Sequence, residues 1–141
     1  MARSHARIHV AIWRDQEWLD LSPMAKLVYV TVLSQPRLSL VGVIDFAPGR
    51  WSSQIGVDRA TFEHALEELE DERFVIVDTT TDELLVRTFV THDLDPNRIN
   101  NNLARGFWGA WGCVASAYLR SEVIHETPDD QWARLEPSAP D

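Results

Sequence analysis

The pattern of apolar and polar positions divides the middle of the chain into short helices and short strands. Apolar residues recur at helical spacing over residues 22–33. The run opens on Ser22-Pro23, which suits a helix start because Ser accepts hydrogen bonds from free N–H groups and Pro fits the first turn. Gln35-Pro36 ends this helix. The next apolar run, Val43–Phe46, follows Gly42 and has the length of a short strand.

Two more helices follow, separated by a tight turn. Pro48-Gly49 leads the chain into a two-turn helix over Arg50–Ile55, and Gly56 is placed to end that helix in the left-handed conformation. Asp58 is placed to cap the second helix. The apolar stripe of this second helix consists of Phe62, Ala65, Leu66 and Leu69.

A hairpin completes this region. Phe74–Asp78 and Glu83–Arg87 are rich in residues that favour strands, and the Thr and Asp residues of 79–82 suit a loop between them. The order helix, strand, helix, turn, helix, hairpin predicts an α+β fold. We interpret it as a winged helix-turn-helix, with a three-helix core, a β-hairpin wing and a C-terminal helical extension.

The remaining segments predict four parts in the chain. We expect a flexible arm over residues 1–9, the winged helix-turn-helix over 10–92 with a short strand at Val10–Trp13, a helical extension over 93–126, and a mobile tail over 127–141.

The extension contains apolar positions at helical spacing from Leu103 to Tyr118. Gly106, Gly109 and Gly112 place small residues at every third position, which would let another helix approach closely. Each glycine also weakens a helix by about 1 kcal/mol relative to Ala, so a break near Gly109 is the alternative to a continuous helix.

Charge is spread unevenly along the chain. The formal net charge is −9, from 13 Lys and Arg against 22 Asp and Glu, and the deficit falls mainly within residues 61–95. A nucleic-acid contact should therefore use the first 60 residues and selected Arg side chains further on. The acidic helix around residues 67–72 would repel phosphate and would suit a protein partner instead.

The junction of the two central helices carries the candidate site. A helix-turn-helix aims the first turn of its second helix at DNA, so outward polar residues near residues 50–64 are candidate contacts to double-stranded DNA. These candidate contacts are Arg50, Ser52, Ser53, Gln54, Arg59, Thr61 and His64. The alternative is that Ser52, Ser53 and Thr61 are only solvated residues of helix starts.

Two other polar segments give weaker signals. Arg98 and Arg105 lie among Asn97, Asn100, Asn101 and Asn102, which suit either helix capping or phosphate contact, and we include Arg98 among the DNA contacts. The predicted wing tip contains Asp82-Glu83 and no Lys or Arg, so it should grip DNA poorly.

The residues indicate no enzyme. No motif selects a catalytic residue, a metal site or a cofactor site, and an apparent calcium loop at 93–97 lacks its Gly and Glu. The one cysteine, Cys113, fits a buried free thiol in a reducing compartment. No apolar run is long enough for a membrane span and no signal peptide is recognisable, so we expect a cytoplasmic protein.

Several segments of residues 10–125 resemble one family. The chain is similar to winged helix-turn-helix proteins of actinobacterial bacteriophages, which are related to the N-terminal domains of phage replication initiators and replisome organisers. The matching segments are Ile12–Asp15, Trp18, Leu21–Tyr29, Leu33–Pro36, Gly42–Ile44, Arg50–Trp51, Ala65–Leu69, Phe74–Asp78 and Glu83–Val90.

The resemblance implies a winged-helix fold and a role on phage or prophage DNA, in replication initiation or transcriptional control. It makes Arg50 and Arg59 the most natural phosphate contacts. We expect a dimer, because one small module rarely buries enough surface for high DNA affinity. The alternative is a protein-interaction or oligomerisation module on the same scaffold, which would bind a replisome partner, another copy of itself, or a basic protein as a DNA mimic.

Overall fold

The computed structural model describes residues 3–141 and has an α+β fold. The described residues form eight α-helices and a three-stranded antiparallel sheet. The helices are α1 (Gln16–Leu19), α2 (Pro23–Leu33), α3 (Pro48–Ile55), α4 (Arg59–Asp71), α5 (Phe89–Asp93), α6 (Asn101–Gly112), α7 (Ala117–Glu126) and α8 (Asp129–Leu135). The strands are β1 (Val43–Asp45), β2 (Val75–Asp78) and β3 (Glu83–Val86). This element order is compatible with a winged helix.

The predicted caps of the central helices, Ser22, Gly56 and Asp58, are confirmed. The Ser22 hydroxyl accepts a hydrogen bond from the Ala25 N–H at 3.1 Å, and the Asp58 carboxylate accepts one from the Thr61 N–H at 2.7 Å. Gly56 ends α3 with a φ of 76°, in the left-handed region that glycine adopts without steric cost. These local signals fix the starts of α2 and α4 and the end of α3, whereas α3 begins at Pro48, two residues before the predicted Arg50.

The sheet has the strand order β1-β3-β2, so β3 is the central strand. Val43 of β1 lies opposite Leu85, which in turn lies opposite Ile76 of β2. Gly42, just before β1, has a φ of 81°, and a Cβ added there would lie 2.6 Å from the Cβ of Phe89. Only glycine therefore allows the start of α5 to pack against this end of the sheet.

Two apolar cores lie on opposite faces of the sheet. On one face, Leu84 joins α2, α3 and α4, and the largest fully buried rings there are Trp51 and Phe62. On the other face, Leu85 joins the C-terminal helices, where Phe107 is fully buried. All four residues of β3 are buried because both of its faces are covered. The C-terminal helices thus form the second core and cover the face of the sheet that α2, α3 and α4 leave open.

The N-terminal segment differs from the prediction. Val10–Arg14 is a 3₁₀-helix and not a strand, and it runs directly into α1, whose first turn is capped by Asp15. Of the predicted arm, residues 1 and 2 lie outside the described residues. Arg3 donates hydrogen bonds to the Leu33 and Gln35 carbonyls, both at 2.8 Å. The described part of the arm thus contacts the end of α2.

The C-terminal region departs from the predicted continuous helix. The helix α6 ends at Gly112, beyond the alternative break at Gly109, and α7 begins at Ala117. A Cβ added at Gly109 or Gly112 would meet no atom within 4 Å, so the glycine stripe is not a helix-packing surface. Cys113, expected to be buried, is exposed.

Residues 127–141, predicted to be a mobile tail, contain α8. Gln131 of α8 is buried and its amide donates to the Val90 and Leu94 carbonyls at 3.0 and 2.7 Å. Leu135 is fully buried in the second core. One polar side chain and one apolar side chain therefore hold this segment against α5 and the loop that follows it.

A hydrogen-bonded cluster ties the hairpin to the loop before α7. We call Asp78, Glu83 and Ser116 the hairpin clamp. The buried Glu83 carboxylate accepts from the Ala115 and Ser116 N–H groups at 2.9 and 2.8 Å. The Ser116 hydroxyl accepts from the Leu119 N–H at 3.0 Å and donates to Asp78, which holds the Asp78 pKa below its ordinary value of 3.8. The hairpin is consequently not a free wing.

Trp13 and Trp51 should differ sharply in their contribution to stability. Trp51 is fully buried between Phe46 and Phe62, whereas Trp13 is 62% exposed. We expect Trp51→Ala to lower the free energy of unfolding by about 3–5 kcal/mol, and Trp13→Ala to lower it by less than about 1 kcal/mol. Urea denaturation of both variants measures this, and equal losses would contradict the placement of Trp13.

Loss of the Ser116 hydroxyl should destabilise the fold, because Ser116 both caps α7 and holds the hairpin. We expect Ser116→Ala to lower the free energy of unfolding by about 1–3 kcal/mol in urea denaturation at neutral pH. Ser121→Ala removes an exposed hydroxyl from the same helix and serves as the control.

The hydrogen bond between Ser116 and Asp78 should contribute to the free energy of unfolding in a pH-dependent way. A carboxylate with a lowered pKa contributes stability that is complete above 3.8 and disappears as the pH falls through its folded value. The difference between the wild type and the variant should therefore narrow in acid. An equal effect of both serine substitutions at neutral pH would show that the clamp contributes nothing.

Candidate nucleic-acid interface

The junction of α3 and α4 positions most of the predicted contact residues. The Trp51 ring faces inward, with its centroid 5.9 Å from that of Phe46 and 6.3 Å from that of Phe62. This contact fixes the rotation of α3 about its axis. Ser53 projects from the side of α3 opposite Trp51, and Arg50 and Gln54, on the flank between the two, are exposed as well.

The prediction that Ser52 faces outward is wrong. Its side chain is buried, and its hydroxyl donates to the Gly49 carbonyl at 3.0 Å. Pro48, Trp51 and Ser52 form the buried face of α3 at i, i+3 and i+4, and the Ser52 hydroxyl is used within the helix. Ser53 is exposed, and the exposed Gln54 amide oxygen accepts a hydrogen bond from Gln35 at 2.9 Å. Gln35 thus holds Gln54 at the surface.

The start of α4 offers fewer free donors than its sequence suggests. Arg59 is exposed, but its guanidinium pairs with Glu63 one turn later at 2.8 Å. The Thr61 side chain is exposed, while its N–H is occupied by Asp58, whose pKa this hydrogen bond lowers. His64 is exposed. These residues can still approach phosphate, although Arg59 has to give up an ion pair to do so.

The outer surface of α4 is acidic, and we call it the acidic α4 surface. Its exposed carboxylates belong to Glu63, Glu67, Glu70 and Asp71. Partial burial, together with repulsion from Asp71 and Glu67, raises the pKa of Glu70. Glu68 is used differently, because it accepts from the Ser22 N–H at 2.7 Å, which lowers its pKa. This surface would repel the DNA backbone over most of its length.

A groove beside α3 brings together cations that the sequence does not connect. We call it the Arg50 groove; it has a volume of about 470 Å³ and lies between α3, the 35–39 loop and the end of α6. Arg37 and Arg50 both line it and are exposed, and within residues 3–141 neither forms an ion pair. The exposed Cys113 thiol lies in the same groove.

Arg37 and Cys113 are the residues that the sequence analysis missed. Arg37 follows the Pro that ends α2, and the excess of cations in the first 60 residues was the available signal for it. Nothing local connects Cys113 to α3, because the two meet only through the packing of α6 on the sheet. Asp45 also lines the groove, so its charge is mixed.

Arg98 lies apart from the α3–α4 junction. It is on the 3₁₀-turn Pro96–Arg98, is exposed, and has its guanidinium 3.8 Å from the Asp95 carboxylate. It is not among the residues that line the Arg50 groove. Asn100 caps α6 through a 2.9 Å hydrogen bond from the Leu103 N–H, so the capping interpretation of this Asn is confirmed.

The hairpin differs from the wing that the sequence suggested. Thr79, Thr80 and Asp82 at its tip are exposed and carry no positive charge. Glu83, expected at the wing tip, is buried in the hairpin clamp. The hairpin therefore presents no cation and no free Glu83 to DNA.

Neither a metal site nor a membrane-spanning helix occurs among residues 3–141. Among residues 3–141, no three His, Cys, Asp or Glu side chains are arranged to hold a metal ion. None of the helices in this range combines the length and the apolar character needed to cross a membrane.

No protein-family model, curated protein or solved structure matches the chain.

Proposed function

We propose that this chain is a non-enzymatic winged-helix protein that binds double-stranded DNA, in replication initiation or transcriptional control. The order α2-β1-α3-α4-β2-β3 supports the fold, because it places a helix-turn-helix before a hairpin. The observation that carries the proposal is the pair of free guanidinium groups, Arg37 and Arg50, beside α3. The resemblance described above supports a role on phage or prophage DNA, in the cytoplasm of the host cell.

The proposed contacts differ from those of a recognition helix that enters the groove along its whole length. Arg37 and Arg50 contact phosphates, and Ser53 and Gln54 on the same side of α3 supply neutral donors. Arg59 and His64 contribute only at the first turns of α4, since the acidic α4 surface already begins at Glu63 between them. Few phosphates are neutralised in this arrangement, so binding is weak for a monomer and has a shallow salt dependence.

The Arg50 groove should carry most of the DNA affinity. We expect Arg37→Ala combined with Arg50→Ala to weaken binding by about tenfold or more, because two phosphate contacts are lost, while the thermal midpoint stays nearly unchanged. Arg59→Ala should cost less than about threefold, since Glu63 already neutralises Arg59. Fluorescence anisotropy with fragments of the encoding genome, at low and moderate salt, measures both effects.

A control variant with the same change in net charge distinguishes direct contact with DNA from general electrostatic attraction to it. Arg14→Ala combined with Arg134→Ala removes two exposed cations that do not line the groove. If this control weakens binding as much as the groove variant does, the contact assignment is wrong. If the wild type shows no saturable binding to any fragment, the proposal of DNA binding itself fails.

Cys113 provides a second measurement that does not depend on affinity. It is the chain's one cysteine and is exposed in the Arg50 groove, so alkylation by iodoacetamide reports on that groove alone. We expect saturating duplex DNA to slow the alkylation of Cys113 severalfold in the wild type. Alkylation at an unchanged rate, with DNA bound, would place the DNA elsewhere on the protein.

The acidic α4 surface favours a second function, which is binding to a basic protein. Its carboxylates outnumber nearby cations, and the raised pKa of Glu70 reflects partial burial and the repulsion among them. A basic partner would relieve that repulsion. A replisome component or a transcription protein with a basic surface fits this description, whereas a second copy of this chain, with its net charge of −9, does not. The two functions use different surfaces and are compatible in one molecule.

A further inference from the structure

A second cavity lies beneath the N-terminal segment, away from the Arg50 groove. We call it the N-terminal cleft; it has a volume of about 390 Å³, within the range of small-ligand and side-chain pockets. Residues 7–12 form one wall, and α2, residues 72–74 before β2 and residues 87–93 around α5 form the others. The apolar and aromatic floor consists of Tyr29, Leu33, Phe74 and Phe89.

The floor of the cleft is rigid and uncharged. The Tyr29 and Phe74 rings meet edge to face with centroids 5.7 Å apart, and buried Trp18 contacts both rings. Burial raises the pKa of Tyr29 to about 12, so its hydroxyl stays protonated at neutral pH. Aromatic faces held in this way suit either an apolar group or a delocalised cation.

The free charges around the cleft are mainly negative. Two of the arginines in its wall are already neutralised, because Arg87 pairs with Glu126 at 2.9 Å and Arg73 lies 3.8 Å from Glu122. Four carboxylates of the wall form no ion pair within residues 3–141, while only one arginine of the wall is equally free there. These carboxylates are Asp15, Glu17, Glu72 and Asp93, and the free arginine is Arg7.

One aromatic ring at the border of the cleft already binds a guanidinium. The Arg3 guanidinium lies over the Phe89 ring, 5.7 Å from its centroid, and donates to the Leu33 and Gln35 carbonyls. Phe89 and Leu33 both line the cleft. Arg3 does not itself line the cleft, so a ring face and carbonyl oxygens together hold this guanidinium just outside it.

We propose that the N-terminal cleft binds an arginine side chain of a basic protein segment, with the guanidinium on the aromatic floor and against Glu17 and Asp93. Glu72 belongs to the cleft and follows directly on α4, so the rest of the segment lies along the acidic α4 surface. The exposed Ile8, Val10 and Trp13 give the segment an apolar rim to pack against. This inference rests on the second function above and is independent of DNA binding.

A hexa-arginine peptide labelled with fluorescein tests the site, with hexa-lysine as its comparison. We expect the wild-type chain to bind hexa-arginine at least about threefold more tightly than hexa-lysine, because a guanidinium stacks on rings better than an ammonium does. Glu17→Gln combined with Asp93→Asn should weaken hexa-arginine binding by about fivefold or more and remove most of the preference.

The matched control is Glu136→Gln combined with Asp141→Asn, which removes the same charges from exposed positions outside the cleft. It should change binding by less than about twofold. Equal losses in both double variants, or equal affinity for the two peptides, would show general attraction to an acidic protein and overturn the cleft assignment alone. No binding of either peptide would overturn the partner function as well.

The thermal midpoint of each variant shows whether it is folded, and Glu17→Gln alone gives a second route if the double variant is not. The same titration with a labelled single-stranded oligonucleotide distinguishes the other class of ligand. Oligonucleotide binding that weakens with Arg7→Ala and competes with hexa-arginine would assign the cleft to nucleic acid and overturn the proposal.

Discussion

The rest of the structure depends on the burial of β3 on both faces. Leu84 and Leu85 are neighbours in sequence, and since successive side chains of a strand point to opposite faces, each enters a different core. Fully burying a side chain of this size contributes about 1.5–3 kcal/mol, so neither face can be left to water without a large loss. Helices α2, α3 and α4 cover one face, and helices α6, α7 and α8 cover the other. A three-helix core with its hairpin alone would therefore leave half of this strand exposed.

This constraint decides what the hairpin can do. In the proposed fold a wing reaches DNA because it extends freely from the sheet. Here Glu83 and Asp78 are held to the loop before α7, and the hairpin faces the C-terminal helices. The same packing brings the end of α6 beside α3 and creates the Arg50 groove. The C-terminal helices thus take a contact surface away from the hairpin and build another next to α3.

The local signals in the sequence were sufficient for α2, α3 and α4, because Ser22, Gly56 and Asp58 act on groups only a few residues away. The end of α6 was not predictable in this way. The chain leaves the helix after Gly112 so that two N–H groups reach Glu83, which lies about 30 residues earlier in the chain. Of the candidate site, Arg50, Ser53 and Gln54 are exposed, as expected from the sequence. The burial of Ser52, the pairing of Arg59 and the position of Arg37 depended on tertiary contacts that no local pattern contains.

Positive and negative charges are separated on the surface, and this separation affects how the protein would bind DNA and a protein partner. Two free cations, Arg37 and Arg50, lie together at the Arg50 groove, whereas free carboxylates extend along α4 into the N-terminal cleft. Under the proposed function, a duplex contacted through the groove alone would release few counterions, and a single small module would bury little DNA surface, so one copy would bind DNA weakly. A basic segment bound along α4 would add affinity in two ways, by neutralising the carboxylates that repel DNA and by bringing its own cations to the same duplex. The two proposals together then make the acidic surface and the Arg50 groove parts of one arrangement, in which tight DNA binding would require the basic partner.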